Sequence, residues 1–151
     1  IDKLTGLLNQ SCYNTYLENN ENKKFTLIIF DANNFKFIND NLGHDFGDRV
    51  LSAIARIIKE QYSPYGKCYR IGGDEFAVII EKNIGKIEEI NQKFIEKLEI
   101  EKMSVPELPH VSYGVSIYDP NSVYTVEDTK NKADNEMYTY KKKYKEKQKN
   151  K

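Results

Sequence analysis

The stretch KCYRIGGDEFAVIIE, residues 67–81, constrains the fold of this chain more than any other. Lys67 to Ile71 and Phe76 to Glu81 are strand-like, and GGDE lies between them, so the segment reads as a hairpin. Its tip carries two adjacent carboxylates, Asp74 and Glu75, which repel each other and form strands poorly. Either the tip is solvated or something cationic belongs there. Gly72 and Gly73 permit positive φ at the tip and leave room for a phosphate chain.

The rest of the chain supplies elements to pack against this hairpin. FTLIIFD, Phe25 to Asp31, is an unbroken apolar run ending in an acid, which suits a buried central strand. Val111, Tyr113, Val115 and Ile117 alternate, as in a strand that buries the face they share. Helical spacing marks Leu4 to Leu17, capped by Asp2 or Thr5, then Phe46 to Gln61, a segment from Ile84 to about Lys102, and Val126 to Lys145. Turns and a short helix are expected in ANNFKFINDNLGHDFGD. The economical solution is an α+β fold, an α/β sandwich with one mixed or antiparallel sheet flanked by helices.

At 151 residues, 39% apolar and 30% charged, the chain reads as one soluble globular domain over 1–151. No apolar run approaches the ~18 residues of a membrane span. Cys12 and Cys68 lie in no CxxC spacing, so neither a disulfide framework nor a zinc site is indicated. A net charge of zero argues against non-specific nucleic-acid binding. The charge is uneven, because Lys141 to Lys151 hold seven Lys and one Glu. That end is expected to be a fraying helix, with 146–151 a disordered basic tail. The chain begins at Ile1, inside what reads as a motif, and is expected to be a cytoplasmic domain of a longer protein. That protein would carry an N-terminal sensor or receiver domain and any membrane anchor, with no membrane contact from this domain.

If the strand ending in Asp31 lies beside the hairpin, Asp31, Asp74 and Glu75 converge, and a divalent cation would relieve their repulsion. Mg²⁺ takes one or two carboxylates and completes its shell with water and phosphate oxygens. The helix start around Asn34 and Phe35, with Lys36 beside it, offers free backbone N–H groups as a phosphate cradle. Asn39, His44 and Asp48 follow; an amide paired with a carboxylate can read the donor-rich edge of guanine. His44 taken alone is more often structural, and His110 has only a structural reading.

Five segments together resemble the GGDEF family, the diguanylate cyclases: DKLTGLLN (Asp2 to Asn9), FDANNFKFINDNLGHDFGD, RIGGDEF, SYGVS and ADNEMY, in order along nearly the whole chain. The resemblance implies a βαββαβ sheet similar to the nucleotidyl cyclase and polymerase palm, and condensation of two GTP into cyclic di-GMP. It implies Mg²⁺, or Mn²⁺ in its place, on Asp31, the Ala32 carbonyl and the Asp74/Glu75 pair, one of which assists deprotonation of the ribose 3′-OH. It also implies guanine binding by Asn39 and Asp48 with His44 alongside. The triphosphate would be held by Lys36, the amides of Asn34 and Phe35, Lys141 and Lys145. Turnover would need a homodimer, because each protomer presents one GTP.

The chain departs from the family pattern at several positions. Asn33 stands where a second Asp is usual, and Tyr144 and Lys145 replace a Gly-Arg pair. Lysine neutralises phosphate without the bidentate fork of arginine. No terminal strand is recognisable in KEKQKNK. Ser63, Pro64, Tyr65 and Gly66 occupy the Arg-x-x-Asp product-inhibition site and cannot supply its ionic contacts. A catalytically inactive module that binds GTP for regulation is the competing reading.

Overall fold

The computed structural model describes residues 1–149. In chain order it contains α1 (Gln10–Asn19), β1 (Phe25–Ala32), α2 (Phe35–Leu42), α3 (His44–Tyr62), β2 (Lys67–Arg70), β3 (Glu75–Ile80), α4 (Ile87–Ser104), β4 (Val111–Tyr118) and α5 (Val126–Lys149). Among the described residues the strands form one sheet in the order β2-β3-β1-β4, with every ladder antiparallel. The expected hairpin is β2 with β3, and the apolar run is the central β1.

Side chains alternate across a strand, so β1 feeds two cores. Ile28, Phe30 and Ala32 join Phe76 and Val78 beneath α3 and α4. Leu27 and Ile29 join Ala77, Ile79 and Ala133 beneath α1 and α5. Burial on both faces explains why β1 reads as a continuous apolar run rather than an alternating one. Phe30 packs edge-on against Tyr62 and Phe94, with ring centroids 5.4 and 5.1 Å away. Truncating such a residue to Ala costs about 3–5 kcal/mol.

Three sequence expectations are corrected here. The first helix begins at Gln10, not Leu4. Asp2 instead closes a turn: its carboxylate accepts from the Thr5 N–H at 2.9 Å and the Thr5 hydroxyl at 2.7 Å. Asn9 then caps α1 by accepting from the Cys12 N–H at 2.9 Å. In β4 the small residues Ser112, Gly114 and Ser116 are buried, while Ile117 is 59% exposed. The cause is α5, which crosses so close that a Cβ on Gly114 would collide with the Ala133 carbonyl oxygen and the Met137 amide nitrogen. On the other face, as expected, Val111 is buried and Tyr113 and Val115 pack half-buried against the α3–α4 core.

The third correction concerns the C-terminal end. α5 does not stop near Lys145 but continues through Lys149, so 146–149 are helix rather than a disordered tail. Tyr144 stands where a glycine would favour a helix stop, and Lys, Glu and Gln propagate a helix well. Residues 150 and 151, the rest of that expected tail, lie outside the described residues. No described helix is long and apolar enough to cross a membrane.

Candidate active site

Sheet register assembles the acids. Asp31 and Glu75 are direct partners across β1 and β3, and the period of two puts both on the face covered by α5. The Ala32 N–H donates to the Asp74 carbonyl at 3.1 Å, which ties the end of β1 to the hairpin tip. From α5, Lys141 Nζ approaches Asp31 Oδ2 at 3.3 Å, with both side chains largely shielded. Burial and the neighbouring Asp74 charge push the Asp31 carboxyl above the usual carboxylate range, although Lys141 pulls the other way. Glu75 is pushed up too, by burial and then by Asp31 and Asp74. These are carboxylates held together with too little positive charge.

The tip is braced from below. Arg70 donates through Nε to the Gly72 carbonyl at 3.2 Å and through Nη2 to the Gly73 carbonyl at 2.8 Å. Its Nη1 contacts Asp2 at 3.2 Å. Burial opposes the Asp2 charge, but bonds from Thr5 and Arg70 outweigh it and hold that carboxyl low. Gly72 and Gly73 do not use the positive φ that glycine permits. With its carbonyls held by the guanidinium, the tip closes in an ordinary conformation, and the glycines contribute space rather than a left-handed turn.

At the other wall, Asn34 adopts φ 58° and caps α2 without a side-chain hydrogen bond, leaving the first-turn N–H groups near Phe35 and Lys36 without a cap from that residue. Phe35 itself is buried, whereas Lys36 is exposed. Asn39 points toward α3: a Cβ at Gly47 would collide with its side-chain oxygen. His44 opens α3, and Asp48 lies exposed one turn further on. The α2–α3 corner therefore carries Asn39, His44 and Asp48 on adjoining elements. Lys145, one turn beyond Lys141, lines an adjoining cavity with Asn34 and Tyr144.

Among the described residues no three His, Cys, Asp or Glu side chains enclose an ion by themselves. A hard cation here would draw on one or two of the clustered carboxylates, a backbone carbonyl such as that of Ala32, and substrate oxygens. Burial, and after it the neighbouring carboxylates, raises both Asp31 and Glu75, and a cation there would favour their charged forms.

Sequence reasoning overlooked three contributors. Arg70 was visible only as a letter at the edge of RIGGDEF, and Asp2 was read as a helix cap rather than as a partner of the tip. His110, read as structural, is buried and stacks face to face on Tyr144, with ring centroids 3.7 Å apart at 1°. The helix that carries Tyr144 was legible; the partner of that ring in a distant loop was not.

An antiparallel sheet with acids at the end of its central strand and at the adjoining hairpin tip defines a nucleotidyl cyclase palm-like domain. The family model for the diguanylate cyclase GGDEF domain matches residues 1–147, and the chain belongs to that family. Diguanylate cyclase DgcN of Escherichia coli (strain K12) is 44% identical over 84 residues, covering 52% of this chain and 21% of that protein. The same organism's "Probable diguanylate cyclase DgcI" is 35% identical over 143 residues, covering 94% of this chain and 31% of that protein. The chain thus spans about a fifth to a third of these curated relatives. Among solved structures, the GGDEF domain of TpbB, or YfiN, from Pseudomonas aeruginosa aligns with a TM-score of 0.75 at 29% identity, covering 94% of this chain and 88% of that one. The GGDEF domain of DgcB from Caulobacter crescentus, in complex with c-di-GMP, shares the fold, with a TM-score of 0.79 at 24% identity over 93% of this chain and 89% of that one.

Proposed function

We propose that this domain is an active diguanylate cyclase, which condenses two GTP into cyclic di-GMP with release of two pyrophosphates. The observation that carries the reading is Asp31 directly opposite Glu75, with Lys141 3.3 Å from Asp31. Asn39 and Asp48, with His44 beside them, take the guanine edge: the carboxylate accepts from two donors, as guanine offers and adenine does not. The amides of Asn34 and Phe35, together with Lys36 and Lys141, hold the triphosphate, and Lys145 reaches it from one turn further along α5.

Mg²⁺, or Mn²⁺ in its place, held by Asp31, the Ala32 carbonyl, Asp74 and Glu75, would neutralise phosphate charge and acidify the attacking hydroxyl. Glu75 or Asp74 accepts the proton from the 3′-OH of the second GTP. The 3′ oxygen then bonds to the α-phosphorus as the bond to pyrophosphate breaks in line, and the lysines stabilise the transferred charge. The second GTP comes from a partner protomer, so two domains must face each other and activity should rise faster than linearly with concentration. A sensor or receiver segment elsewhere in the full protein would set that encounter, in the cytoplasm where GTP is available.

The test is chromatographic. The purified domain is incubated with GTP and Mg²⁺ and the nucleotides are separated. Cyclic di-GMP that disappears in the Asp74→Ala, Glu75→Ala double variant supports the proposal. GTP binding without product, even when dimerisation is enforced, favours the regulatory module, a reading encouraged by Tyr144 and Lys145 in place of Gly-Arg.

A further inference from the structure

The sheet has two edges, and the chain treats them differently. Along β2 the N-terminal segment covers the edge: the Leu8 N–H donates to the Cys68 carbonyl at 3.1 Å, and the Arg70 N–H donates to the Leu8 carbonyl at 2.8 Å. The other edge, β4, has eight residues against four in β2, and no strand lies outside it among the described residues. Its ladder to β1 fixes which backbone groups are left over. The Ala32 N–H turns to Asp74 on the β3 side and the Asn33 N–H to His110 on the β4 side, so odd-numbered residues of β1 bond to β4. Their partners are Ser112, Gly114 and Ser116, which leaves the N–H and C=O groups of Tyr113, Val115 and Ile117 directed outward. Of these, among the described residues, only the Val115 N–H is taken, by the Glu136 carboxylate at 3.3 Å.

A hollow flanks this edge on each face of the sheet. On the α4 side it measures about 500 Å³ and is bordered by Tyr113 and Val115 together with Glu88, Glu89 and Glu136. No cationic side chain borders it, and none of the three carboxylates forms an ion pair among the described residues. On the α5 side a hollow of about 430 Å³ is bordered by Ser116, Ile117, Thr129 and Asn135, with Asp128 and Lys132 of opposite charge. Side chains of an added strand would alternate between the two hollows. Bare strand edges pair with other chains unless charge forbids it. A second copy of this edge would bring the same acids together, whereas a basic strand would neutralise them.

We propose that the outer edge of β4 is a docking site for an extended basic segment of a partner protein, which joins the sheet as a further strand. Its backbone accepts from the Tyr113 and Ile117 N–H groups and takes the Val115 N–H from Glu136. Lysine or arginine stems lie along Tyr113 and Val115, with their charged ends at Glu88, Glu89 and the released Glu136. Small polar side chains of the segment face Ser116 and Thr129. Main-chain bonds supply affinity in such additions, and the alternate side chains supply specificity. No residue proposed to hold GTP or metal borders either hollow.

The test is fluorescence anisotropy of a labelled peptide as long as β4, alternating lysine with threonine, titrated with the 151-residue chain. One control peptide is methylated on alternate backbone nitrogens, which keeps every charge but blocks strand pairing. Another carries glutamate in place of lysine. The lysine peptide should saturate, and both controls should bind at least about tenfold more weakly. Hydrogen exchange at the Tyr113 and Ile117 amides should slow when the lysine peptide is bound. Glu88→Lys with Glu89→Lys, at exposed positions of α4, should weaken the lysine peptide by at least about tenfold, with thermal melts confirming the fold. The proposal is overturned if the lysine peptide does not saturate at millimolar concentration, or if either control peptide binds equally well. It is also overturned if the folded double variant binds as wild type, or if the β4 amides gain no protection. None of these readouts depends on cyclase activity, so failure of the proposed turnover leaves the docking claim standing.

Discussion

The hairpin tip and the lysine-bearing end of α5 meet at one site but are held by different physics. The tip is fixed by hydrogen bonds, with β1–β3 register on one side and the Arg70 guanidinium on two carbonyls on the other. The α5 end is fixed by shape, with the helix pressed onto Gly114 and rings stacked from Tyr140 and Tyr144 onto His110. Register places the carboxylates and packing places the lysine. The two sides should therefore fail in different ways.

The largest effect is expected at the register-held acids. Asp31→Asn should lower cyclic di-GMP formation by roughly 10²–10³-fold while the fold is retained, as read by chromatography and circular dichroism. Retained activity would separate the acids from the chemistry. On the packing side, Gly114→Val should cost about 3 kcal/mol in urea denaturation, because α5 must lift from the sheet. An equal cost from Arg70→Ala would erase the contrast between the two sides.

Acid should probe the α5 end selectively. Burial, with Lys102 adding to it, pushes His110 down to about 4, so it stays neutral in the folded state where an unfolded chain would bind a proton. Its contribution is complete above the ordinary histidine value of about 6.5 and is lost as the pH falls from there toward 4. Stability should drop by on the order of 2 kcal/mol across that window beyond the general acid effect, and His110→Phe should lack this component. Arg70→Ala should loosen the tip and lower turnover by about tenfold, a barrier change of about 1.4 kcal/mol. The smallest effect belongs to the turn at Ser63 to Gly66, which carries no ionic side chain. Added cyclic di-GMP should not inhibit at low concentration, and tight inhibitory binding there would show that product is held without ion pairs.

The same contrast explains what could be read from the sequence. β1, the hairpin and the meeting of Asp31 with Asp74 and Glu75 were legible, because apolar runs and turn residues are local signals. The start of α1 was misplaced because Leu4, Leu7 and Leu8 look helical, whereas the Asp2 carboxylate folds them into a turn. In β4 the apolar alternation marked only one of two covered faces, because a helix crossing the other at close range selects Ser and Gly rather than large side chains. The His110–Tyr144 stack joins residues 34 apart, and no periodicity reports such a contact.

Gly114 carries one further consequence. Because α5 is seated there at Ala133, the helix works as a gauge of fixed length, with eight residues, about 12 Å, between its seat and Lys141. Inserting a single residue in that span would turn Lys141 by about 100° around the axis and carry its charge off Asp31, and the Tyr144 ring off His110 with it. A missing side chain on the sheet thus sets the height at which a charge is delivered to the carboxylates.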